Sequence, residues 1–108
     1  MLSYRIVGDG PPVVLIHGFG ISFNIWRNLI PLLKDDFTLI MIELPGIGDS
    51  PALEGNYLDE SARSLEELRR KLKIERWRVF SYSSGTRVGE RYIEKYSDHV
   101  VNAVFLCP

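Results

Sequence analysis

Residues 81–85 read Ser-Tyr-Ser-Ser-Gly and directly follow the apolar stretch from Trp77 to Phe80. A hydroxyl raised on a sharp turn between a strand and a helix can attack an acyl carbon, so this segment could carry nucleophilic chemistry. Such a turn tolerates only small residues two places either side of the nucleophile, because larger side chains collide across it. Ser81 has Val79 and Ser83 at those places, and Ser84 has Tyr82 and Thr86. Ser83 alone is bracketed by small residues, Ser81 and Gly85, and is the candidate nucleophile. The plainer reading is a Ser/Gly turn in which Ser84 caps the next helix.

A serine needs a base to take its proton, and the base needs an acid to orient it. Two histidines are present. His17 ends the apolar run VVLIH and precedes Gly18-Phe19-Gly20, which places it beside the turn. His99, in Ser97-Asp98-His99-Val100, falls before the last apolar run, at the opposite end of a sheet from Ser83, where a solvated surface histidine is expected. Glu43, Asp49 and Asp98 have no histidine downstream to orient except His99. The spacing thus predicts a nucleophile without its base or acid. Gly18-Phe19-Gly20 after a strand, with Glu43 ending the next strand, also imitates a dinucleotide fingerprint. Phe23 occupies the place of its third glycine, so neither a cofactor nor a metal is expected.

The elements that must position these residues alternate. Short apolar runs at 2–7, 13–17, 37–43, 77–80 and 101–106 read as strands. A helix is expected from Ser22 as its cap through Ile25, Trp26, Leu29 and Leu33, kinked or split by Pro31. A second carries Leu58, Ala62, Leu65, Leu68 and Leu72 on one face, and a third carries Gly85, Val88, Gly89, Tyr92, Ile93 and Tyr96. Gly89 lies mid-helix, where it costs roughly 1 kcal/mol against alanine; close packing on the sheet would justify it. The order predicts an α/β three-layer sandwich, one domain over residues 1–108, with a mostly parallel sheet and helices on both faces.

Composition sets the outer bounds. The 108 residues are 45% hydrophobic and 25% charged, with a formal net charge of −1, which gives no reason to expect nucleic acid or an anionic membrane as partner. The single cysteine, Cys107, forms no internal disulfide and reads as an apolar strand residue in a reducing compartment. No run approaches the length of a membrane span and the first residues lack a signal-peptide pattern, so a cytoplasmic location is expected.

The segments PPVVLIHGFG, ELPGIGDSP and VFSYSSGTRVGERYIEKYSDHVVNAVFLCP resemble, in order and spacing, the α/β-hydrolase superfamily, particularly its small esterase-like and C–C-bond-hydrolase members. The resemblance covers nearly all of the chain. It implies a partial α/β-hydrolase fold of about five strands and three helices, with Ser83 as nucleophile. The backbone N–H groups of Phe19 and Ser84 would form the oxyanion hole, and His17 would shape the oxyanion loop and not serve as the base. Glu43 stands where the family more often has Asp, Ser81 where it has Gly, and Thr86 where a second Gly is frequent. The implied activity is carboxylic-ester-type hydrolysis of a small molecule through an acyl-Ser83 intermediate. In that frame the chain matches the amino-terminal half, starting at the family's second strand, without the lid, the later strands or the rest of the triad, and alone it is expected to be inactive. The apolar strand 101–106, with Val101, Val104 and Leu106, then has one open edge, for which self-association or a complementing chain is expected. The alternatives are a non-catalytic module that binds a ligand or protein through the same cleft, and a non-functional fragment.

Overall fold

The computed structural model describes residues 1–18 and 23–106. Five strands form one sheet: β1 (Tyr4–Gly8), β2 (Pro12–Ile16), β3 (Thr38–Ile42), β4 (Trp77–Tyr82) and β5 (Val100–Leu106). Their order across the sheet is β1-β3-β2-β4-β5. β1 runs antiparallel to β3, and the other three pairings are parallel. β1 and β2 follow one another through a short glycine- and proline-rich turn, yet β3 lies between them.

The unbroken apolar runs are explained by burial on both faces. Val14, Ile16, Ile40, Ile42 and Val79 pack with Ala62, Leu65 and Leu68 of α2 (Tyr57–Lys71) and with Val88 and Tyr92 of α3 (Gly85–Tyr96). Val13, Leu15, Leu39 and Met41 point to the other face, against Trp26, with Leu29 and the side chains of α1 (Ile30–Leu33) around them. α2 is well specified locally. Asn56 caps it by accepting from the Asp59 N–H at 3.0 Å, Asp59 and Glu60 sit in the first turn, and Arg69, Arg70 and Lys71 sit in the last.

The helix expected from Ser22 to Leu33 is split, as Pro31 allowed, but ahead of the proline and not at it. A 3₁₀ turn covers Phe23–Trp26, and α1 begins only at Ile30, with Pro31 in its first turn. Proline has no N–H to give a preceding turn, so it starts a helix here instead of continuing one. Ser22, its expected cap, lies outside the described residues, as does Cys107. β4 continues to Tyr82, two residues beyond the expected end of its apolar run, and so reaches the turn that holds Ser83. β5 pairs with β4 alone among the described residues, and its Val101, Val104, Phe105 and Leu106 are exposed. No described helix is long and apolar enough to cross a membrane.

Candidate active site

Ser83 sits between the end of β4 and the start of α3 with φ 56°, in the left-handed region that costs a residue with a Cβ about 1–2 kcal/mol. Two backbone bonds hold it there. Its N–H donates to the Leu106 carbonyl at 2.8 Å, and its own carbonyl accepts from the Thr86 N–H at 3.0 Å. Two glycines explain how the helix comes so close to the sheet. A Cβ on Gly85 would run into the carbonyl of His17, and one on Gly89 would meet Ser81 Oγ and, at 3.2 Å, Phe105 Cε1. The small-residue bracket around Ser83 is therefore a packing requirement. Ser81 fits it at a cost, since its buried Oγ has no hydrogen-bond partner among the described residues. Ser84 heads α3 with helical backbone, and its side chain makes no capping bond, which removes the plainer reading of the segment as an ordinary cap.

β2 and β4 are parallel neighbours with Ile16 beside Ser81, so His17 and Gly18 leave the sheet at the same edge as the Ser83 turn. His17 is fully buried and both its ring nitrogens are committed. Nε2 accepts from the Leu44 N–H at 3.1 Å, which leaves the proton on Nδ1 to be donated to the Gly18 carbonyl at 2.6 Å. Burial holds its pKa below the ordinary histidine value, against the opposing effects of the Gly18 bond and the Glu43 charge. A neutral, doubly bonded imidazole fastens the loop after β2 to the loop after β3 and takes no proton from Ser83. Phe19, the other expected oxyanion donor, lies outside the described residues.

Glu43 is likewise taken up by its loop. Its Oε1 accepts from the Asp49 N–H at 3.0 Å, and its carbonyl accepts from Ser50 Oγ at 2.5 Å. Ser50 Oγ in turn accepts from the Ser3 N–H at 2.9 Å, and Tyr57 Oη donates to the Pro45 carbonyl at 2.9 Å. The Leu44–Pro51 segment is thus a tied-down wall beside the site.

His99 lies before β5, at the end of the sheet opposite Ser83, as expected. It is not simply solvated: Nδ1 lies 3.1 Å from the Glu75 carbonyl, and Nε2 lies 3.6 Å from Glu66 Oε2. Glu66 is the centre of a buried network that no sequence motif announces. Arg69 donates to both its oxygens, Nε at 2.8 Å and Nη2 at 2.7 Å, while Tyr92 Oη donates at 2.8 Å and itself accepts from Trp77 Nε1 at 3.2 Å. The signal available in the sequence was Glu66 and Arg69 three apart on the face of α2 that carries Leu65 and Leu68. The network ties α2, α3 and the start of β4 together, far from Ser83.

Two open apolar clefts lie to either side of the Ser83 turn, and Ser83 lines neither. One, of about 330 Å³, lies on the α1 side and is walled by Trp26, Leu29, Leu32, Phe80, Tyr82 and Leu106 among others. The other, of about 500 Å³, is lined by Ile47, Tyr57, Leu58 and Arg87. No three His, Cys, Asp or Glu side chains among the described residues are grouped to hold a metal ion.

Comparison with known proteins gives a consistent set. The family described as alpha/beta hydrolase fold matches residues 11–108. A hydrolase of Saccharomyces cerevisiae named as uncharacterized is 36% identical over 106 residues, 94% of this chain and 36% of its own length. A fluoroacetate dehalogenase of Burkholderia sp. is 30% identical over 105 residues, 92% of this chain and 34% of that protein. The solved structure of a thermophilic esterase from Thermogutta terrifontis superposes with a TM-score of 0.89 at 27% identity, covering 96% of this chain and 39% of that one. The chain spans about a third of the length of these curated relatives.

Proposed function

The chain belongs to the alpha/beta hydrolase fold family, and from that premise we propose that it carries the nucleophile-bearing part of a serine hydrolase acting on carboxylic esters. The single observation behind this reading is the left-handed Ser83 at the carboxyl end of β4, immediately before α3. In the proposed reaction Ser83 Oγ adds to the ester carbonyl while a base removes its proton. The oxyanion accepts hydrogen bonds from the Phe19 and Ser84 N–H groups, each worth about 3–4 kcal/mol in such a hole. The alcohol then leaves with a proton, and water cleaves acyl-Ser83 to the acid.

The names of the relatives include a dehalogenase as well as an esterase, and the nucleophile's chemistry favours the second. Attack of a serine oxygen on an alkyl carbon leaves a seryl ether, which water does not reopen. Attack on an acyl carbon leaves a seryl ester, which water does. A halide-displacing cycle on Ser83 would stop after one event.

Neither described histidine is available as base: His17 is committed through both nitrogens and His99 is at the far end of the sheet. Slow acylation without sustained turnover is therefore the expectation for the 108-residue chain, since transition-state stabilisation survives in part when a triad is incomplete. Incubation with an activated acetate ester followed by mass spectrometry should find one added acetyl group on a peptide containing Ser83, absent in Ser83→Ala. An equal adduct in Ser83→Ala, or none in either protein, would overturn the reading. The absence of a base among the described residues favours a second reading, a ligand- or protein-binding module of the same fold, under which no adduct forms. We further propose that the open edge of β5 pairs with a second copy or a complementing chain.

A further inference from the structure

α3 presents Arg87, Arg91 and Lys95 at intervals of four, one above the other on one side of the helix. Two of these cations are neutralised. Arg91 pairs with Asp59 of α2 and, at 3.9 Å, with Glu94, and Lys95 Nζ lies 3.5 Å from Asp59. Arg87, nearest to Ser83, makes no ion pair or side-chain hydrogen bond among the described residues. It also borders two clefts at once, the apolar one with Ile47, Tyr57 and Leu58, and a polar one of about 400 Å³ shared with Leu58, Thr86, Arg91 and the carboxylates Glu90 and Glu94, neither of which comes within ion-pair distance of it. In the apolar cleft it is the one charged side chain among the described residues, and one wall of that cleft, Ile47, belongs to the tied-down loop beside the Ser83 turn.

We propose that Arg87 determines specificity by receiving a carboxylate at the far end of the substrate, so that the preferred class is the half-ester of a dicarboxylic acid, its chain laid along Ile47, Tyr57 and Leu58. The proposal deepens the esterase reading and rests on it for the reacting end of the molecule. Its physical content is charge complementarity at the exposed rim of an apolar cleft. A guanidinium that forms no ion pair among the described residues is open to a forked pair of hydrogen bonds from a carboxylate. The apolar wall takes the methylene chain, and Tyr57 spends its hydroxyl on Pro45. A neutral diester of equal length keeps the apolar contact and loses the ion pair.

Binding tests this without turnover. The ¹⁵N-labelled 108-residue chain would be titrated with monomethyl adipate and with dimethyl adipate, following amide shifts. The half-ester should half-saturate at a concentration lower by about fivefold, with shifts centred on Ile47, Leu58 and Arg87. Arg87→Met should abolish the difference, and Arg87→Lys should keep part of it, while amide dispersion checks that each variant is folded. Equal responses to the two ligands, no saturable response, or a preference that survives Arg87→Met would overturn the proposal. Failure of the esterase reading shows elsewhere, as a missing acyl adduct on Ser83, and leaves this binding result standing.

Discussion

Ser83 is held in a conformation that its own side chain disfavours, and that strain can be measured apart from any chemistry. Ser83→Ala and Ser83→Gly both remove the hydroxyl, but only glycine adopts φ 56° freely. Ser83→Gly should therefore be the more stable of the two by about 1 kcal/mol, after allowance for the greater freedom of glycine in the unfolded chain. Equal denaturation midpoints would mean that relief of strain does no more than offset the extra freedom of glycine in the unfolded chain, and a less stable Ser83→Gly would mean that the turn stores less strain than that. The position was legible from its flanks, because steric limits two places either side of a sharp turn are written in residue size. The state of His17 was legible in outline, as a loop-shaping residue. Its two specific bonds were not, since the Leu44 partner lies 27 residues away and only the parallel alignment of β2 with β3 brings them together. Arg87 left no trace in any motif. Its distinction is negative, the lack of an ion-pair partner among the described residues, while Asp59 is taken by Arg91 and Lys95.

Among the elements, α2 and α3 meet through apolar side chains and through the polar group around Glu66. Removing the Tyr92 hydroxyl takes a donor from the buried Glu66 carboxylate and an acceptor from Trp77 Nε1. Tyr92→Phe should cost about 1–3 kcal/mol in chemical denaturation. Burial alone would raise the Glu66 pKa, but the hydrogen bonds from Arg69 and Tyr92 and the nearby positive charges outweigh it and hold the group below its ordinary 4.5. A carboxyl depressed in the folded state contributes stability above 4.5 that is lost as pH falls through the folded value. Stability should accordingly drop below about pH 4.5, and less steeply in Tyr92→Phe, where one source of the depression is gone. An unchanged acid limb in that variant would count against the assignment. The period of leucines made α2 readable. The stretch 22–33 was less so, because its apolar spacing suits a helix while Pro31 permits one only from Ile30 onward.

For the molecule as a whole, the mostly parallel sheet follows from the alternation of apolar runs with amphipathic ones, but the place of β1 does not. A short turn between two strands suggests a hairpin, whereas here β3 separates them and takes β1 antiparallel. At the other margin, β5 shows Val104 47% and Leu106 46% exposed on a strand with one described partner. Concentration-dependent association is expected in sedimentation experiments, weakened by Val104→Lys, since a charge on an edge strand discourages further pairing. A wild-type chain that stays monomeric throughout would refute it. The carbonyl of Leu106 that positions the amide of residue 83 belongs to this outermost strand. Fraying at that border would reach the Ser83 turn before it disturbed the leucines beneath, so any chain zipped along the border would also act as a splint for the turn.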